Sequence, residues 1–196
     1  KPYQLIDVCD RLTFRSDQIV LSVLAGTPFE KLTSAVAPAR AVRLMPNLAV
    51  RLGKGIVAEF GLSDVSGSHV KWIERALSSM GTVVSLPDET LFDGVTALAG
   101  SAPAFCFVFA QALADAGVLQ GLTREQSQAL AAGVLEGAGA LLSHANVTPE
   151  TLKDRVASPK GTTISGLRTL EARGFRSAVI EAVSASALRS AELSKG

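Results

Sequence analysis

The sequence predicts an α/β sheet half followed by an all-helical half. Three observations carry this. Short β-branched apolar runs alternate with helical patterns over residues 1–98. No strand signal follows Pro87. The remaining stretch is a series of helix periods separated by capping residues.

In the first half, Ile19 to Ala25 is an apolar run read as a buried parallel strand. Gly26-Thr27-Pro28 then turns the chain, with Thr27 expected to cap a short helix from Phe29 to Val36. Ala41 to Met45 is the next strand, stopped by Pro46-Asn47, and Gly55 to Phe60 is the third. Ser66 to Met80 reads as an amphipathic helix with Val70, Ile73, Ala76 and Leu77 on one face. Thr82 to Leu86 is the fourth strand. The alternation implies crossovers of the right-handed kind.

The second half opens with a helix from Pro87 to Ala97, its positive end favoured by Asp88 and Glu89. Pro103 to Gly117 is strongly apolar. The stretch Ala97 to Leu119 is the strongest candidate for crossing a bilayer. Its uninterrupted apolar part, Ala102 to Ala110, is too short, and Gln111 and Asp115 break it, so a buried core helix is expected. Thr123-Arg124-Glu125-Gln126 is a capping box opening a helix to Leu142. Thr148-Pro149-Glu150 opens another, and Thr163 to Ala172 and Phe175 to Leu193 complete the set. Gly133, Gly137 and Gly139 each weaken their helix by about 1 kcal/mol relative to Ala. Two compensations are open: close packing within one chain, or a subunit interface. The domain boundary is placed at residues 98/99, giving 1–98 and 99–196.

Composition narrows the function. Of 196 residues, 47% are hydrophobic and 19% charged, enough apolar material for a sizeable core. A formal net charge of +1 gives no electrostatic case for nucleic acid or an anionic membrane. Cys9 and Cys106 lack metal-type spacing and fit a reducing, cytoplasmic setting. With two histidines, His69 and His144, in polar surroundings, no metal site is expected. The Lys1-Pro2-Tyr3-Gln4 start has no signal-peptide pattern. No G-x-S-x-G elbow supports a hydrolase.

Three stretches carry candidate chemistry. The first is Leu152 to Ile164, where a helix stops, Ser158-Pro159-Lys160-Gly161 forms a loop, and a helix starts at Thr162-Thr163. Unpaired amides and the helix dipole make such a start an anion site, for a carboxylate or a phosphate. Gly161 lets a ligand approach the backbone. A plain helix start without a ligand is the alternative. The second is Gly100-Ser101-Ala102-Pro103-Ala104 at the junction of the halves, a place for a shared ligand or a simple turn. The third is Met45-Pro46-Asn47 at the carboxyl end of a strand, where α/β sheets bind ligands and where Asn47 also suits an Asx turn.

In order, these pieces resemble the pyrroline-5-carboxylate reductase family. The residues that carry the resemblance run the length of the chain: Lys1-Pro2, Val42 to Asn47, Leu98 to Ala104, Ala114 to Gly117 with Gly121-Leu122, Leu152 to Thr163, and Gly174 to Ser177. The resemblance implies a partial Rossmann-like, dinucleotide-binding sheet at 1–98, and a substrate-binding and dimerisation domain at 99–196. It implies reduction of Δ1-pyrroline-5-carboxylate to L-proline with NADPH or NADH, and a homodimer or larger homo-oligomer formed through the helical domain. The loop of one subunit would complete the site beside its partner. For residues, it implies that Lys160, Gly161, Thr162 and Thr163 hold the substrate carboxylate. The Thr163 hydroxyl bonds the ring nitrogen as the catalytic group, and Val156, Ala157 and Ser158 shape the wall. Lys1, Pro2, Met45, Pro46, Asn47 and Pro103 line the cofactor.

Two departures from the family pattern stand out. Lys160 occupies a position where the family commonly has Gly, either adding a cation beside the carboxylate or pointing to solvent. The Gly-rich βαβ unit that opens family members does not precede the first strand here, so it is expected upstream of Lys1, and this stretch alone is expected to hold a dinucleotide poorly. Other readings are a related imine or hydroxyacid reductase, and an inactive helical dimerisation or regulatory module. Neither Lys153 nor Lys160 has the surroundings of a hydroxyacid dehydrogenase lysine, and the intact loop argues against decay.

Overall fold

The computed structural model describes residues 2–65 and 68–194. Of these the chain forms two compact units: residues up to Ala102 together with those from Ala182 onward, and Pro103–Glu181. Each is a body with its own packing.

The first unit is a four-stranded sheet in the order β1-β2-β3-β4, with β1 Ile19–Ser22, β2 Arg40–Pro46, β3 Gly55–Phe60 and β4 Gly81–Ser85. Strands β1 and β2 are parallel, as are β3 and β4. The central pair β2–β3 is antiparallel, with Pro46 opposite Val57. That departs from crossovers throughout. Residues 47–54 hold only a 3-10 turn, Leu48–Leu52, and a parallel return needs a dozen residues or more. The chain therefore folds straight back.

Alternation along β2 builds a core on each face. Val42 and Leu44 join Val57, Ile73 and Leu77, the last two from helix α3, Ser68–Ser78. Ala41 joins Leu32 and Val36 of α2, Phe29–Val36, and Leu5 and Cys9 of α1, Leu5–Cys9. Burial in that second core pushes the Cys9 thiol pKa up, with Asp10 adding to the effect. Ile73, Leu77 and Val70 lie on the expected apolar face. The first two residues of the expected helix, Ser66 and Gly67, lie outside the described residues. Glycine is required where β3 and β4 start side by side: a Cβ on Gly81 would overlap the Gly55 backbone.

Two local expectations change. Thr27 does not cap α2: Pro28 is the N-cap residue, and among the described residues the buried Thr27 hydroxyl has no hydrogen-bond partner. The Phe29 N–H goes to the Glu89 carboxylate at 2.6 Å, a stronger, charged acceptor. Glu89 also pairs with Arg43, whose guanidinium stacks 4.0 Å from the Phe92 ring centroid. Glu89 thus serves the sheet rather than its own helix, and Asp88 alone caps that segment by accepting from the Thr90 N–H at 2.8 Å. That bond holds the Asp88 carboxyl below its ordinary pKa.

The segment after Asp88 is a 3-10 turn (Glu89–Leu91), the short α4 (Phe92–Val95) and a π-helical turn (Thr96–Ser101), followed by α5, Ala102–Leu119. Together they form one helical run, Glu89–Leu119, whose most apolar window has a mean hydropathy of 1.6 and is 17% buried. The expectation of a buried core helix therefore fails for this chain. Phe107 and Val108 are 62% and 67% exposed, because the helix is apolar on every side and its own unit covers only part of it.

The second unit consists of most of α5, α6 (Arg124–His144), α7 (Pro149–Val156), α8 (Thr162–Ala172) and the start of α9 (Phe175–Ser194). The Thr123 capping box forms as expected, with Gln126 reciprocating. Thr148 caps α7, and the local backbone amide, followed by the Thr148 hydroxyl, lowers the Glu150 carboxyl pKa. A Cβ added to Gly133, Gly137 or Gly139 would meet nothing within 4 Å. Close packing against the described residues therefore does not account for these glycines.

Candidate functional site

In the second unit, α7 ends at Val156, and Ala157 bonds back to the carbonyls of Lys153 and Asp154 at 3.2 Å each. A tight turn follows, closed by the Gly161 N–H donating to the Ser158 carbonyl at 3.0 Å. Pro159 fixes one central position, and Lys160 takes the other at φ +59°. That left-handed value is one a lysine adopts at a cost of about 1–2 kcal/mol and a glycine without cost. It supplies a conformational reason for a glycine at this position, and it turns the Lys160 side chain out where it is exposed. Gly161 has no room for a side chain, since a Cβ would overlap Ser158 Oγ and crowd the Ser158 carbonyl at 3.2 Å.

Helix α8 then begins with Gly161 as N-cap residue and no side-chain cap. Its first amides have no intrahelical acceptor, and the dipole adds partial positive charge there. The threonine hydroxyls leave these amides free. Ser165 and Thr169 spend their hydroxyls on the carbonyls of Gly161 and Ser165. Thr163 is half-buried, and its hydroxyl makes no hydrogen bond among the described residues. Val156 is 68% exposed, Ala157 half-buried and Ser158 exposed. A cavity of about 400 Å³ in this unit is bounded by Lys153, Ile164 and Arg168, and not by Gly161, Thr162 or Thr163. Glu171, bonded to Arg176 at 2.7 Å, raises the arginine's pKa and fastens α8 to α9. Pro103 is half-buried near the start of α5.

In the first unit, two of the three stretches come together. Asn47 is held by its own side chain: Oδ1 accepts from the Ala49 N–H at 3.2 Å and the Ile56 N–H at 3.1 Å, and Nδ2 donates to the Ala99 carbonyl at 3.2 Å. Only one Nδ2 hydrogen is left to offer a ligand. The Met45 methyl lies against Gly100, 3.2 Å from where a Cβ would sit. The strand end Met45-Pro46-Asn47 is thus docked on the π-turn. Pro2 is exposed in a 3-10 turn, Pro2–Gln4, and borders a cavity of about 960 Å³ with Ala25, Gly26, Ser101 and Ser186. Thr27 is among the residues bordering the same cavity, and its hydroxyl is buried and, among the described residues, without a hydrogen-bond partner. Lys1 lies outside the described residues. Among the described residues no group of His, Cys, Asp and Glu could hold a metal.

Ser186 and Ser190 were not expected at this site. Ser186 donates to Ser101 at 2.8 Å, and Ser190 donates to Asp93 at 2.6 Å. Their signal in the sequence is serine at every fourth position, 186, 190 and 194, in a helix otherwise rich in Ala and Leu.

Known proteins resemble this chain in both sequence and fold. The sequence pattern for pyrroline-5-carboxylate reductase dimerisation matches residues 89–193, more than half of the chain. A Synechocystis pyrroline-5-carboxylate reductase is 40% identical over 177 residues, covering 90% of this chain and 66% of that protein. The structure of a pyrroline-5-carboxylate reductase from Coxiella burnetii superposes with a TM-score of 0.90 at 28% identity, covering 100% of this chain and 74% of that one. The Plasmodium falciparum pyrroline carboxylate reductase, solved with NADP bound, gives 0.83 at 29% identity, covering 97% and 75%. The chain therefore spans about two thirds to three quarters of the length of these relatives.

Proposed function

The chain belongs to the pyrroline-5-carboxylate reductase family, and from that premise we propose that it forms the catalytic stretch of an enzyme reducing Δ1-pyrroline-5-carboxylate to L-proline with NADPH or NADH. The observation that carries the reading is the start of α8: an uncapped helix end, a turn that keeps Gly161 bare, and an unspent hydroxyl at Thr163. Because the Gly161 N–H is spent on the Ser158 carbonyl, the carboxylate falls to the amides of Thr162, Thr163 and Ile164 rather than to those of Lys160 and Gly161, and Gly161 lets it come close. The Thr163 Oγ1 accepts the N–H of the protonated cyclic imine and fixes the ring's orientation. Val156, Ala157 and Ser158 shape the wall beside it, and the exposed Lys160 adds at most a screened attraction.

A bound nicotinamide supplies the hydride. Asn47 offers its one remaining amide hydrogen, and Pro2, Met45, Pro46 and Pro103 give apolar surface on the cofactor side. As a carbon–hydrogen bond forms at the imine carbon, the C=N π pair moves onto the ring nitrogen, which Thr163 still holds. The protonated imine is already an electrophile, so positioning supplies most of the catalysis and no strong acid or base is required.

The same proposal includes a homo-oligomer formed through the helical unit. Its support is the exposed apolar surface of Phe107, Val108, Leu130, Val134 and Ile180, and the open faces of Gly133, Gly137 and Gly139. The run Glu89–Leu119 is long and apolar enough to cross a bilayer. We assign its cover to a second subunit, because the dimerisation pattern includes it. The free thiols Cys9 and Cys106 support a cytoplasmic setting.

The test is steady-state kinetics on the intact protein with Thr163→Ala. Loss of one hydrogen bond to a charged group costs about 1.5–3 kcal/mol. A fall of roughly 10- to 150-fold in kcat/KM for pyrroline-5-carboxylate is expected. An unchanged value would reject the role of Thr163.

A further inference from the structure

The π-turn Thr96–Ser101 is held from two directions, and the second of these has no part in the chemistry above. On one side are Asn47 Nδ2, bonded to the Ala99 carbonyl, and Met45, lying against Gly100. On the other is the last part of α9. Ser186 reaches Ser101 (2.8 Å) and Ser190 reaches the Asp93 carboxylate (2.6 Å), across 85 and 97 residues of chain. Ser194, four residues further on, lies against the turn after β1, with its Oγ 3.6 Å from where a Cβ on Gly26 would sit. The three serines share one face of the helix.

A π-turn closes its hydrogen bond over one residue more than an α-helix, here from the Ala102 N–H to the Ala97 carbonyl, and is rare. Relaxing it to α-helix would rotate the following residues by about 100°. Gly100 would leave Met45, and the Ala99 carbonyl would leave Asn47. We propose that Ser186, Ser190 and Asp93 are positioning residues: a clamp from α9 that keeps the π-turn in place and, through Ala99 and Gly100, holds Asn47 and Met45 in the geometry that receives the nicotinamide. The clamp also forms a wall of the cavity bordered by Pro2, since Ser101, Ser186 and Ser190 all line it. The effect on the cofactor rests on the functional reading given above; the clamp itself does not.

The experiment compares Ser186→Ala and Asp93→Ala with the conservative Ser186→Thr and Asp93→Asn in the intact protein. Amide hydrogen exchange at Ala97 to Ala102 reads the clamp without reference to activity. Faster exchange in the alanine variants, restored in the conservative ones, is expected. Steady-state kinetics then reads the consequence. The KM for NADPH or NADH should rise about two- to tenfold, the value of one hydrogen bond, with kcat and the KM for pyrroline-5-carboxylate changing less, and with rescue by Thr and Asn. Unchanged exchange would overturn the clamp. Faster exchange with an unchanged cofactor KM would overturn its positioning role. A wild-type protein with no reductase activity would overturn the functional reading and the cofactor claim together, while exchange would still decide whether the clamp exists.

Discussion

Lys160 shows how one residue's backbone can matter more than its charge. Its φ of +59° is costly for any residue with a Cβ. Lys160→Gly should raise stability by about 0.5–1 kcal/mol, part of the strain relief being offset by the greater freedom glycine has when unfolded. Loss of an exposed cation should raise the KM for substrate at most about fivefold, since such charges contribute about 1 kcal/mol or less. Thermal melting and kinetics on the same variant check both signs, and a lower melting temperature would contradict the account of the turn. The sequence marks position 160 as a departure from the family pattern. It does not disclose the φ that explains it, because a Pro-X-Gly turn leaves X free until the closing hydrogen bond from Gly161 to Ser158 is known. Thr27 is a similar case. Its place before Pro28 reads as a cap, and only the long-range arrival of Glu89 shows why the hydroxyl is left unused.

At the scale of elements, local signals were legible and distant partnerships were not. The capping box at Thr123 and the Thr148-Pro149 start marked their helices correctly, and the β-branched runs marked the strands, because those signals act within a few residues. The antiparallel return from β2 to β3 and the π-turn were missed. The first depends on the short link 47–54, the second on contacts from β2 and α9 far along the chain. Helix α6 makes the point in reverse. Its glycines left intrachain and intersubunit packing equally open, and the open space beside them among the described residues favours the second. Gly137→Trp should therefore leave the helix content of the chain intact while blocking self-association. Circular dichroism with sedimentation velocity tests this, and a variant that is still fully oligomeric would refute the proposed interface.

For the molecule as a whole, division into a sheet unit and a helical unit follows from where the strand signals stop. The return of the chain after Ala182 to the sheet unit does not, because it rests on the serines of α9 and their partners at Asp93 and Ser101. The family relation fits the way chemistry is distributed: bare amides, hydroxyls and one amide side chain, with hydride chemistry left to a cofactor. The most direct measurement is a crystal structure of the intact protein with L-proline bound. The carboxylate should lie within hydrogen-bonding distance of the Thr162, Thr163 and Ile164 amides, with the ring nitrogen at Thr163 Oγ1. Proline bound elsewhere, with those amides facing only water, would contradict the account.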